Sequence, residues 1–140
     1  MADVFSKEKR SQVMSRIRSR NTRPEILVRK YLFAHGFRYR LHDSKLPSKP
    51  DIVLPKYKTI VFIHGCFWHG HTCKYAQVPK SNTAFWVDKI NRNKNISLIN
   101  IEKLENLGWR VIIIWECELS KKRREKTLND LELTIRIPLG

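Results

Sequence analysis

Ile60-Val-Phe-Ile-His64-Gly-Cys66-Phe-Trp-His69-Gly-His71-Thr-Cys73 is the stretch on which the reading of this chain turns. It opens on four apolar residues, all β-branched or aromatic, with no polar residue between them. That pattern belongs to a strand covered on both faces, and so to the centre of a sheet. The strand is expected over Thr59–His64, and the run ends at His64 and Gly65. From Cys66 to Cys73 the chain then places two cysteines, two histidines and a Phe-Trp pair. Cysteine and histidine at this density bind metals or move protons more often than they fill a core. Aromatic side chains beside them suit a partner with flat faces.

Upstream of this stretch, Lys56 to Lys58 form a turn, and Asp51 to Leu54 read as a short strand after the loop Pro47 to Pro50. Phe37, Tyr39 and Leu41 alternate with Arg38, Arg40 and His42, which predicts a half-buried strand. Thr22 and Glu25 stand at capping-box spacing around Pro24, so a helix starts there and closes at Gly36. Ser6 can cap a short basic helix from Lys7 to Arg18, whose apolar stripe is too thin for a core. Downstream, Thr83 is read as the cap of a helix from Ala84 to about Asn93. Helical pattern resumes through Ile101, Leu104 and Leu107 and stops at Gly108. Trp109 to Trp115 is the most apolar strand, and a charged, weakly amphipathic tail follows. Helix, three strands, helix, strand, helix is the order of an α/β sandwich around a mixed sheet.

Charge identifies the partner. The 140 residues carry 28 Lys and Arg against 13 Asp and Glu, a formal +15. Residues 1–50 alone hold thirteen of those bases and four of those acids. Such a surface is the footprint of a polyanion, usually nucleic acid. No apolar run approaches the roughly 20 residues that span a bilayer, and the basic start lacks the apolar region of a signal peptide. Three cysteines do not make a disulfide framework, so ligating thiolates in a reduced compartment are expected. With no internal repeat and no low-complexity linker, residues 1–140 read as one domain. A basic arm covers 1–20, a core 21–119 and a C-terminal tail or helix 120–140.

Cys66, Cys73, Cys117 and His71 could close a tetrahedral shell of the structural zinc type, with His69 as the alternative imidazole. Asp51, His64, His69 and Glu25 are the catalytic candidates, because an aspartate at a strand end can hold Mg²⁺ and a histidine can move protons. Each has a plainer reading: Glu25 completing a capping box, Asp51 only starting a strand, His69 ligating zinc. Phe67, Trp68, Phe85 and Trp86 could wedge between bases or shield the metal loop and pack the core.

The run Phe62 to Cys73 closely resembles the very short patch repair endonucleases, the Vsr family. Thr22 with Glu25, Leu46-Pro47 with Pro50-Asp51, Val78-Pro79, Phe85-Trp86, Lys89-Ile90, and Leu107 to Arg110 with Trp115 to Cys117 match in order. The likeness weakens after about Leu119. Ile63 stands where the family often has a threonine that offers a main-chain carbonyl, which isoleucine keeps. Ser97 stands where some relatives carry an aspartate.

The resemblance implies a restriction-endonuclease-like αβββαβ core, with a structural zinc site and a basic N-terminal helix. It implies an enzyme that nicks one strand 5′ to the thymine of a T·G mismatch left by deamination of 5-methylcytosine. Asp51 and the Ile63 carbonyl would hold Mg²⁺, His69 would transfer protons, and His64 and Glu25 would support the site. Cys66, His71, Cys73 and Cys117 would bind Zn²⁺. Phe67, Trp68 and Trp86 would insert beside the mismatch, with Met14, Arg16, Arg18 and Arg20 of the arm against the duplex. A monomer in the prokaryotic cytoplasm, near the nucleoid, is expected. Its companions would be a cytosine-5 methyltransferase and mismatch-repair and repair-polymerase proteins. Two rivals stay open: a restriction-type or mobile-element nuclease of the same fold that cuts unmodified duplex, and a zinc-containing DNA-binding module without catalysis.

Overall fold

The computed structural model describes residues 22–67, 69, 71 and 78–139. The basic arm with its expected helix Lys7 to Arg18, and with Met14, Arg16, Arg18 and Arg20, lies outside them, as do Trp68 and Cys73. The elements are α1 (Arg23–Ala34), β1 (Arg40–Leu41), β2 (Ile52–Leu54), β3 (Thr59–His64), α2 (Thr83–Asn106), β4 (Arg110–Trp115) and α3 (Arg124–Arg136). They form one mixed sheet in the order β1-β2-β3-β4. β1, β2 and β3 pair antiparallel. β3 and β4 run parallel, with α2 as the crossover that a parallel pair requires.

The pleat sorts the core into two layers. Ile52, Leu54, Val61 and Ile114 face one way and pack with Val28 and Leu32 of α1 and Leu128, Leu131 and Ile135 of α3. Val53, Ile60 and Phe62 face the other way, against Leu104 of α2. Cutting Leu32 or Ile52 back to alanine would cost about 2–5 kcal/mol, the range for emptying a packed aliphatic site.

Four local expectations need correction. The strand expected over Phe37 to Leu41 is only Arg40–Leu41. Gly36, at φ +88°, donates to the Phe33 carbonyl and Phe37 donates to that of Leu32, so the closure of α1 takes the Phe37 amide before a sheet can. The strand expected from Asp51 starts at Ile52, and Asp51 is spent on its neighbours. Thr83 is not the helix cap. Asn82 holds that position in the left-handed region, φ 54°, while the Thr83 hydroxyl donates back to the carbonyls of Pro79 and Lys80. The helix also runs unbroken from Thr83 to Asn106. The Asn-rich middle interrupts amphipathic periodicity, but no Gly or Pro is there to stop the backbone ladder.

The weakly amphipathic tail is a full helix, and its docking has a second cause beyond its three core residues. The Arg110 guanidinium donates to the carbonyls of Thr134, Ile135 and Ile137 at 2.7–3.3 Å, and its Nε donates to Thr59 Oγ1. A cation thereby satisfies the open C-terminal carbonyls of α3 and ties them to the start of β4.

Candidate active site

Asp51 stands just before β2, and its carboxylate accepts a hydrogen bond from the Ile63 amide at 2.8 Å. That bond draws the loop before β2 onto β3, one residue from His64. Burial pushes the Asp51 carboxyl up to about 6. The Ile63 amide opposes this, while the Glu25 charge adds to it and His42 counters it. Glu25 itself, in the first turn of α1, is 1% exposed. The Thr22 hydroxyl accepts from its amide, as the cap predicts, but its carboxylate turns inward to His42 Nε2 at 2.6 Å, with Arg29 at 3.9 Å. Ligand atoms of Glu25, His42 and Asp51 lie within 4.8 Å of one another.

His64 ends β3, in register with Trp115 at the end of β4. Its ring stacks on that of His69, with centroids 3.8 Å apart and planes 4° from parallel. Burial, with His69 adding to it, lowers the His64 pKa to about 3, and burial lowers that of His69 as well. Two imidazoles held neutral at pH 7 can accept protons or hydrogen bonds. Ser97 Oγ lies 3.2 Å from His69 Nδ1. His64 Nδ1 is buried and meets no hydrogen-bond partner among the described residues, a cost that a group inside the cleft could relieve. Asp51, His64, His69 and Ser97 line one cleft of about 190 Å³, with Ser48 and Lys49 on its rim. A larger cleft of about 360 Å³ between β4 and α3 mixes Lys122, Arg123 and Lys126 with Glu118 and Asp130 and contains neither a histidine nor a cysteine. The smaller one gathers Asp51 and the two imidazoles.

Alternate members of the same loop build a second cluster. Cys66, His71 and Cys117 bring ligand atoms within 4.8 Å of one another, a set that can hold a metal ion. The Cys117 amide donates to Cys66 Sγ at 3.4 Å, and Cys117 Sγ is 3.5 Å from His71 Nδ1. Trp115 stands between the two clusters. The His71 ring stacks on it at 4.2 Å, and it meets His64 edge-on at 5.2 Å. Of the aromatics, Phe67 and Trp86 are half-buried against each other, centroids 5.5 Å apart, and Phe85 is 58% exposed.

No residue pattern in the sequence marks His42, Trp115, Ser48 or Lys49 as part of a site. His42 was read as one polar residue of an alternating strand. Ser48 and Lys49 adopt left-handed φ of 68° and 46°, a backbone choice that their residue types do not announce.

A mixed sheet between helices, with acids and histidines gathered at the ends of its central strands, is the restriction-endonuclease-like architecture of DNA-cleaving enzymes. The family described as DNA mismatch endonuclease Vsr matches residues 2–75. The chain is 56% identical over 122 residues to a protein of Neisseria meningitidis serogroup A named Type II nicking enzyme V.NmeAIP, covering 87% of each. It is 47% identical over 120 residues to the Xanthomonas oryzae Type II nicking enzyme V.XorIIP, covering 86% of this chain and 88% of that one. It is 43% identical over 137 residues to the Escherichia coli DNA mismatch endonuclease Vsr, covering 98% of this chain and 86% of the relative. The chain belongs to the Vsr DNA mismatch endonuclease family and is a DNA endonuclease. No helix among the described residues is long and apolar enough to cross a membrane.

Proposed function

We propose that this endonuclease uses Mg²⁺ to nick one strand of duplex DNA 5′ to the thymine of a T·G mismatch, the lesion left by deamination of 5-methylcytosine. The cleft lined by Asp51, His64 and His69 carries this reading. Its residues fit a divalent cation. Asp51 is a carboxyl raised to about 6 beside a second carboxylate, and a cation would bring that value back down. Asp51 and the Ile63 main-chain carbonyl would hold the ion. A Mg²⁺ ion held there would supply a lowered pKa for water and stabilisation of charge on the leaving oxygen. His69, kept neutral by burial, takes the proton of the attacking water at Nε2. Ser97 at Nδ1 fixes the ring's orientation, and the stacked His64 holds its plane. Glu25 supports Asp51 from the other side.

The thiolate cluster fits zinc. A tetrahedral shell with Zn–S of about 2.3 Å and Zn–N of about 2.0–2.1 Å has S···N edges of roughly 3.5 Å, and His71 Nδ1 lies 3.5 Å from Cys117 Sγ. Cys73 would be the fourth ligand beside Cys66, His71 and Cys117. The ion would pin the loop that carries Phe67, Trp68 and His69. Phe67, Trp68 and Trp86 would enter the stack beside the mismatch, where weaker pairing eases opening. Met14, Arg16, Arg18 and Arg20 would grip the backbone with salt-sensitive affinity. The protein acts as a cytoplasmic monomer alongside a cytosine-5 methyltransferase and the proteins that resynthesise the strand.

The test is to incubate the purified protein with Mg²⁺ and end-labelled duplexes carrying T·G, other mismatches or none. A nick confined to the thymine strand of T·G duplexes is expected. Equal cutting of matched duplex would point instead to a restriction-type target, and binding without cutting would end the proposal.

A further inference from the structure

We propose that His42 is a positioning residue of the nicking reaction: it holds the Glu25 carboxylate against Asp51, and so sets the acidic pocket that takes the cation. This rests on the assignment of Asp51 and Glu25 to the nicking centre above. Three observations carry it. His42 Nε2 lies 2.6 Å from Glu25 Oε1, a hydrogen bond in which the imidazole N–H can donate to the carboxylate. The His42 amide donates to the Asp51 carbonyl at 3.3 Å, so one residue touches the side chain of one acid and the main chain of the other. His42 also sits at φ 47°, immediately after the two-residue strand β1. An L-residue in that region is strained by about 1–2 kcal/mol, where Gly or Asn would sit easily. The strain has a visible return, because the ring meets a side chain that is 1% exposed.

The geometry also explains how two acids share this space. Glu25 lies in the first turn of α1 and Asp51 just before β2. His42 bridges them from the end of β1. Arg29, one helical turn on at 3.9 Å, reinforces the same Glu25 oxygen. Without the imidazole, the Glu25 carboxylate should shift toward Arg29 and away from Asp51. The predicted loss falls on cation use, not on duplex binding.

The experiment measures nicking of a T·G duplex across a Mg²⁺ titration for His42→Ala, His42→Asn, His42→Gln, Glu25→Ala, Asp51→Ala and the double variant Glu25→Ala/His42→Ala, with melting temperature and zinc content checked for each. His42→Ala should lose about 10- to 100-fold at limiting Mg²⁺, the range for groups that orient a metal's ligands, with duplex affinity unchanged. His42→Asn suits the left-handed backbone but falls short of Glu25, so it should fold at least as well and show the same loss. The longer amide of His42→Gln should recover most of the activity. The double variant should be no worse than Glu25→Ala alone, since His42 acts through Glu25. Multiplying losses, or wild-type Mg²⁺ dependence in His42→Asn, would overturn the inference while leaving the nicking centre intact. Full activity in Asp51→Ala would instead overturn the nicking centre itself, and the role of His42 with it.

Discussion

One short segment supplies two centres of opposite character. His64 and His69 go to the cleft beside Asp51, whereas Cys66 and His71 go to the cluster with Cys117. Trp115 divides them, flat against His71 and edge-on to His64. The ligand atoms of Cys66, His71 and Cys117 lie within 4.8 Å of one another, and the proposed Zn²⁺ would join them in a closed shell. In the cleft two groups stay unbalanced: His64 Nδ1 meets no partner among the described residues, and burial raises the Asp51 carboxyl to about 6. A closed shell stabilises a fold. An open one leaves room for a substrate and a hydrated ion. The comparison yields predictions of different size and kind for the two sides of Trp115.

The largest effect is expected on the closed side. Cys117→Ser should yield zinc-free protein that is insoluble or unfolded, because metal binding at such a site is also folding free energy. Zinc content by elemental analysis and far-UV circular dichroism are the readouts. His71→Ala should lose zinc, and His69→Ala should keep it. The division fails if folded, active protein contains no zinc, or if it is His69→Ala that loses the metal.

On the open side the fold should survive while the reaction does not. Asp51→Ala should abolish nicking with zinc content and duplex affinity retained, since it removes a cation ligand and no phosphate contact. His69→Ala should cost about two to four orders of magnitude in rate, the usual range for general acid–base catalysis. Single-turnover nicking on a T·G duplex, beside gel-shift binding, separates these outcomes. An Asp51→Ala enzyme with near-normal turnover would mean that the open cleft is not where the strand is cut.

Much of this contrast was legible in the chain before any fold. The apolar run into His64 marked a central strand because every residue in it is β-branched or aromatic, and β3 has those bounds, Thr59–His64. Asp51, His64 and His69 were candidates by residue type and position. What could not be read depends on pairing across distance. His42 looked like the polar half of an alternating strand, because nothing local says that its backbone turns left-handed and sends its ring to Glu25. Trp115 looked like the last apolar residue of β4, and its role comes from the parallel register that sets it beside His64. The tail looked weakly amphipathic because the side chain that secures its end is Arg110, well back in the chain. The cap at Thr83 was misjudged because Asn82 adopts a backbone that Thr cannot easily share.

The smallest expected effect tests the electrostatic half of the comparison through stability. The Asp51 carboxyl has an ordinary value of 3.8 and is raised to about 6 in the fold, chiefly by burial. Below pH 3.8 folded and unfolded chains both carry the proton, and Asp51 brings no penalty. Between pH 3.8 and 6 the unfolded chain ionises first, so the folded state loses ground as pH rises, and above 6 the penalty is complete. A shift of this size corresponds to roughly 2–3 kcal/mol. Asp51→Asn escapes it while its side-chain carbonyl can still accept from the Ile63 amide. In Mg²⁺-free buffer with zinc retained, the variant should therefore match wild type near pH 4 and melt higher at pH 7.5, although it cannot nick. Added Mg²⁺ should raise the melting temperature of wild type and leave that of Asp51→Asn unmoved, because only the charged carboxylate gains from the ion. Equal stability of the two proteins at pH 7.5 would show that Asp51 is already comfortably ionised without a cation. The cleft would then be electrostatically as settled as the thiolate cluster, and the contrast between the two sides of Trp115 would rest on geometry alone.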